Sequence, residues 1–333
     1  MPEVRPRLRR ALPKLVPPGR FRRVPPAIFP PLLGLAGLAL AWSAATRVFV
    51  LPPAPAQMLA GATVALVLFA FYAYGAKLVH RPAVLRDEVE ILPGRAGVGS
   101  GVLTAYLAAA LIGLYATGLG RGLLLAALAL HLAVLAVLVT VMRGGPAERR
   151  RVTPVWHLNF TGFIVAALAA QVLGWPALSA ALLWPTLAAA LAIWAVSAGQ
   201  IARERVPAPL RPMLAIHLAP LALFGSVLTG LGHAAAGLGF GIAALALLAA
   251  GLFGARWLLA AGPSPLWGAL TFPLSATAGL WVALHAAFGT ALTGAVAIAT
   301  LTLATLVVPP VTFMIWRDWN TGRLPAKTNA AIV

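Results

Sequence analysis

The sequence predicts an all-α integral membrane fold of ten transmembrane helices paired as five helical hairpins. Three observations carry that prediction: ten long apolar stretches, a shortage of charge, and a one-sided placement of the charge that is present. Only 10% of the 333 residues are charged and 61% are hydrophobic, whereas a soluble domain carries about a quarter charged residues. Too few polar groups remain to coat a globule, so lipid is the solvent for most side chains. The hydrophobic fraction is mainly Ala, Leu and Val, with 32 Gly and 8% aromatics. That mix suits closely packed transmembrane helices, in which small residues let backbones approach. The absence of Cys excludes disulfides, thiolate nucleophiles and cysteine metal sites.

A helix needs about 20 apolar residues to cross the hydrocarbon core. Such stretches fall at 28–46, 56–76, 98–118, 122–142, 156–174, 177–198, 210–231, 235–254, 265–285 and 291–315. Links as short as Gly174-Trp175-Pro176 and Gly232-His233 join antiparallel neighbours, hence the hairpins. The chain therefore divides into a basic N-terminal tail, 1–27, a ten-helix domain, 28–316, and a C-terminal tail, 317–333. The first stretch ends in Trp42-Ser43-Ala44-Ala45, small residues of the kind a signal peptidase accepts. The long, proline-broken basic region before it argues for a retained helix.

The cations orient this map. Eight Lys and Arg lie in the N-terminal tail. Lys77, Arg81, Arg86 and Arg95 follow the second stretch, and Arg143, Arg149, Arg150 and Arg151 follow the fourth. Arg203, Arg205 and Arg211 follow the sixth, Arg256 follows the eighth, and Arg317, Arg323 and Lys327 close the chain. With ten crossings, 23 of 25 fall on one side and only Arg47 and Arg121 on the other. Cationic loops stay cytoplasmic, so both termini are expected inside, in a bacterial-type inner membrane. The net charge of +18 needs no nucleic acid to explain it.

All seven carboxylates, Glu3, Asp87, Glu88, Glu90, Glu148, Glu204 and Asp318, fall in tails or cytoplasmic loops, and no stretch carries Asp, Glu, Lys or Arg in its interior. Proton pumps and cation carriers keep such a residue in the membrane. Hydrolases and metalloenzymes need a nucleophile with its base, or clustered ligands. His131, His157, His217 and His285 sit on four different stretches without paired spacing. No catalytic residue, metal site or cofactor is expected.

Odd and even stretches differ. The first, seventh and ninth each set a proline ahead of a glycine: Pro31 before Gly34 and Gly37, Pro220 before Gly225, Pro273 before Gly279. Pro removes a backbone hydrogen bond and kinks a helix, which a membrane tolerates where the freed carbonyl is buried or faces water. The fifth opens on His157, Asn159, Thr161 and Gly162, and the third is Gly-rich with Thr104 and Thr117. The fourth, sixth and eighth are Leu-Ala runs suited to lipid, although Pro185 and Pro309-Pro310 interrupt even stretches. Pattern alone leaves open both a ring of hairpins around a pore and an ordinary Gly- and Pro-bearing bundle. An uncharged pore still passes anions, because backbone and hydroxyl dipoles and helix ends favour them and no carboxylate repels them. The pore-lining candidates are Gly34, Gly37, Thr104, Thr161, Gly225, Ser226, Thr271, Ser275 and Thr277. Arg47 and Arg121 are either ordinary loop cations or contributors to an attractive mouth potential.

These stretches resemble the tellurite-resistance/dicarboxylate transporter family, which includes the bacterial tellurite-resistance protein TehA and the slow anion channels of plant guard cells. Phe29 to Trp42 (FPPLLGLAGLALAW) is similar to the family's first helix, and Trp267 to Leu274 (WGALTFPL) to its ninth-helix motif. Leu210 to Pro220 (LRPMLAIHLAP) resembles the approach to the seventh. Tyr72-Ala73-Tyr74 with Glu88-Val89, and Val152-Thr153-Pro154, match at the second and fifth. Two departures stand out: Pro30 replaces a usual Gly, and Trp156-His157-Leu158-Asn159 replaces an L-P element. The resemblance implies odd helices as an inner ring around a central pore, a homotrimer with one pore per subunit, and Phe272 projecting into the pore as a gate.

The expected function is therefore transport of small inorganic or organic anions through a gated pore. The alternative is a proton-coupled carrier or exporter of dicarboxylate, sulfite or tellurite-like oxyanions, with His157 and His217 as possible relays. A membrane scaffold or enzyme is the third reading, and the missing catalytic constellation weighs against the enzyme.

Overall fold

The computed structural model describes residues 21–331, which form helices and turns without a strand. Arg5, Arg7, Arg9, Arg10, Lys14, Arg20 and most of the basic tail 1–27 lie outside the described residues. The helices are α1 Phe29–Val48, α2 Ala54–His80, α3 Val84–Glu90, α4 Leu92–Gly113, α5 Thr117–Gly144, α6 Trp156–Phe160 and α7 Phe163–Val172. They continue as α8 Pro176–Arg203, α9 Leu218–Gly230, α10 Ala234–Phe253, α11 Ala255–Leu258, α12 Gly268–Phe288, α13 Ala291–Asn320 and α14 Leu324–Lys327. Among the described residues, nine helical segments are long and apolar enough to cross a membrane.

The difference from ten arises in the fifth stretch. There α6 and α7 replace one helix of 156–174, parted at Thr161 and Gly162. Thr161 Oγ1 donates to the His157 carbonyl oxygen (2.7 Å), which offers that carbonyl a side-chain partner at the break. The Asn159 carbonyl accepts from His131 Nε2 (2.9 Å), and His131 Nδ1 accepts from the Tyr106 hydroxyl (2.9 Å). His131 thus secures the interruption.

Burial alternates along the chain. Of the apolar windows of the first, third, seventh and ninth stretches, 61–89% is buried within the protein, against 17–39% for the even stretches. The interior helices meet through glycine. A Cβ on Gly34 of α1 would lie 2.3 Å from Thr271 Cβ of α12, and one on Gly97 of α4 would lie 2.5 Å from the Pro26 carbonyl carbon. One on Gly99 would lie 2.8 Å from Asn159 Oδ1 of α6. Hydrogen bonds reinforce the α1–α12 contact: Thr271 Oγ1 donates to the Pro30 carbonyl (3.1 Å) and Ser275 Oγ to that of Gly34 (2.7 Å). These contacts set the N-terminal ends of α1, α4, α6 and α12 side by side.

α2 runs to His80, past the predicted end at 76, and so carries Lys77 inside the packed bundle. Lys77 and Glu88 form a fully buried ion pair. The Tyr74 hydroxyl also donates to Glu88, and Lys77 Nζ donates to the Val24 carbonyl (2.9 Å). This cluster ties α2 and α3 to the segment before α1.

Candidate functional site

Two cavities lie end to end in the interior. The first, about 40 Å³, is lined at the N-terminal ends by Pro30 and Leu33 of α1, Ala96 and Ser100 of α4, Leu158 of α6, Ala219 of α9 and Ala269 of α12. The second, about 440 Å³, lies toward the C-terminal ends and is lined entirely from α1, α7, α9, α12 and the end of α4. Its polar lining includes Ser43, Arg47, Gln171, Ser226, Thr229 and Ser275. Neither lining contains Asp or Glu.

Phe272 is the single residue common to both linings. It is 4% exposed, and its ring rests on α1, where a Cβ added to Gly37 would lie 3.1 Å from Phe272 Cδ2 and 3.1 Å from Ser275 Cβ. Proline at the next position keeps a backbone donor from this turn: Pro273 has no N–H for the carbonyl of Ala269, a residue of the first cavity. The same holds elsewhere. Pro31 lacks the donor for Ala27, and Pro220 lacks it for Ile216, and both of those residues line the first cavity. Pro30 and Pro31 occupy the first turn of α1, where a missing N–H is tolerated, and Pro220 lies in the first turn of α9. Pro273 sits inside α12.

The other predicted residues separate into two groups. Gly37, Ser226 and Ser275 line the larger cavity. Gly34 and Thr271 form the α1–α12 contact and line neither cavity. Gly225 admits α10, since a Cβ there would meet the Gly237 carbonyl oxygen at 3.1 Å. Thr104 and Thr277 are buried and donate to the carbonyls of Ser100 (2.7 Å) and Pro273 (2.8 Å), and Thr161 sits at the α6–α7 break. Ser100, Gln171 and Thr229 are cavity residues that the sequence reading omitted. Gln171 is the one whose polarity, deep in the fifth stretch, gave a signal.

His157 and His217, 60 residues apart, meet: His157 Nε2 lies 3.0 Å from His217 Nδ1. They line neither pore cavity. No cluster of three metal-ligating side chains occurs among the described residues. Outside the spans, burial pushes the Glu88 carboxyl above the usual range, an effect that Lys77 partly offsets.

The family model for the SLAC1 voltage-dependent anion channels matches residues 23–315. The chain belongs to the SLAC1 family. No curated protein matches it. Membership makes this a multi-pass membrane protein of an anion-channel family, a transporter class and not an enzyme class. For a SLAC1-family protein the lining is chemically suited: two acid-free cavities, hydroxyls and an amide on the larger one, and a cation, Arg47, among its residues. The SLAC1 match runs from the segment before α1 into α13 and so includes every residue of both linings except Thr328.

Proposed function

We propose that the chain forms a gated pore for small anions within each subunit, with α1, α4, α6–α7, α9 and α12 as the inner ring. Phe272 is the occluding side chain. The observation that carries this reading is the position of Phe272, the one side chain shared by two cavities that are otherwise separate. A large apolar ring in a narrow neck stops ions by steric block and by dewetting. Replacing Phe272 with Ala and recording anion current tests it: conductance rises over the parent if the ring is the gate, and an unchanged conductance rejects the gate.

The interrupted pair α6–α7 serves as the tenth crossing. Without it, Arg203, Arg205, Arg211, Arg256 and the C-terminal cations would move to the opposite side from Arg143 to Arg151, against the cationic-loop rule. With it, both termini are cytoplasmic, in a bacterial-type inner membrane. A homotrimer with one pore per subunit rests on the resemblance of the first- and ninth-helix motifs.

A second reading, a proton-coupled carrier of dicarboxylate, sulfite or tellurite-like oxyanions, draws on the His157–His217 contact. Two imidazoles in hydrogen-bond reach pass a proton between them.

A further inference from the structure

A pocket of about 380 Å³ lies beside α8, bounded by the connection before α6, the C-terminal turns of α8 and the 3-10 stretch Ala208–His217 before α9. It shares only Met213 with the pore cavities. Three of its lining residues carry a buried polar atom without a hydrogen-bond partner in the protein: Thr153 Oγ1, Ser197 Oγ and His217 Nε2. Ser197 and His217 are themselves 5% and 8% exposed. Buried polar atoms are almost always paired, so three orphans around one pocket mark a place built for a ligand.

The hydrogen bonds define what His217 offers. Thr161 Oγ1 gives its one proton to the His157 carbonyl, so it presents a lone pair to His157 Nδ1, 3.2 Å away. His157 Nδ1 therefore carries the proton, and His157 Nε2 accepts from His217 Nδ1. That leaves His217 Nε2 an unpaired acceptor. The pocket is graded in polarity. Its buried groups are uncharged, its walls include Ile201, Val206, Leu210 and Leu214, and the Arg151–Glu204 ion pair and exposed Arg205 stand at the rim. Arg211, on the same 3-10 stretch, is occupied by the carbonyls of Val206 and Trp257.

We propose that this pocket binds a small monocarboxylic acid with a short apolar chain, taken up in its protonated form. The acid O–H supplies the donor that His217 Nε2 lacks, and the acid carbonyl accepts from the hydroxyls of Ser197 and Thr153. The chain packs on the aliphatic wall. The carboxylate form would bring a buried charge against an imidazole lone pair, a costly arrangement that excludes the anion from the polar end. No rim cation is needed for the recognition.

The test is binding of carboxyl-labelled hexanoic acid to the purified full-length protein at several pH values. The protonated fraction falls about tenfold per pH unit above the acid's own pKa, so the apparent affinity falls about tenfold from pH 6 to pH 7. Removing both hydroxyls, Thr153→Val with Ser197→Val, weakens binding by about tenfold or more. Thr153→Ser keeps the hydroxyl and stays within about threefold of the parent. A pH-independent affinity would mean that the rim arginines hold the anion, and would overturn the proposal. So would undiminished binding by the valine double variant, loss of binding in Thr153→Ser, or no measurable binding of hexanoic acid at all.

Discussion

The ring of Phe272 lies against the backbone of Gly37, so close that a methyl group on Gly37 would stand 3.1 Å from Phe272 Cδ2. The proposed gate is thus seated by the absence of a side chain on the facing helix. Ser275, one turn on from Phe272, closes the same contact from the other side, with its Cβ also 3.1 Å from that methyl.

Gly37→Ala therefore overpacks the neck. The expected loss of stability is about 1–3 kcal/mol, read as a lower melting temperature of the purified protein. The loss shrinks in a Phe272→Ala background, because the two residues are in contact and their effects are coupled. Additive effects in a double-mutant cycle would place the ring away from Gly37.

Glu88→Gln leaves Lys77 charged and without its carboxylate inside the bundle. The expected cost is about 3–5 kcal/mol, and replacing both members with apolar residues of similar volume recovers much of it. The pH dependence has a definite sign. Burial raises the folded-state value of Glu88 above 4.5, so the folded protein binds the proton more tightly than the unfolded chain. The Glu88 contribution to stability is complete at low pH and declines as pH climbs above 4.5 toward the folded-state value. Thermal melts of parent and Glu88→Gln between pH 4 and 8 check this, and the variant's profile is the flatter one.

Arg47 is exposed and lines the larger cavity, whose lining carries no carboxylate. Charge reversal, Arg47→Glu, lowers anion current by up to about tenfold at 0.1 M salt. The deficit narrows at 1 M, where the screening length shortens from about 10 Å to about 3 Å. A deficit that does not change with salt would indicate a structural fault in place of a lost mouth potential.

If the His157–His217 pair relays protons, Gln at both positions abolishes proton flux coupled to oxyanion movement in liposomes while anion current through the pore persists. Unchanged proton flux removes the carrier reading.

Much of the architecture was legible because it is written in local composition. The apolar stretches, the cationic connections and the prolines near Phe29, Pro220 and Phe272 are all contiguous signals. What escaped depends on distance. His157 and His217 have no spacing that announces a pair, and they meet because the break after Phe160 and the 3-10 stretch before α9 bring them together. Lys77 reads as a loop cation until α2 is seen to continue to His80, and only then does it face Glu88. Gly34 and Thr271 have the small size of pore residues, yet the same smallness serves the α1–α12 contact. Composition does not distinguish a glycine that widens a passage from one that closes a helix pair.

The most direct test is a graded series at one position, Phe272→Leu, →Val and →Ala, with single-channel recording in planar bilayers under a chloride gradient. If the ring closes the neck, anion conductance rises stepwise as the side chain shrinks, while the reversal potential keeps its preference for chloride over potassium. Conductance that stays at the parent value through Ala, or a leak that loses anion preference, would contradict the placement of the gate at Phe272.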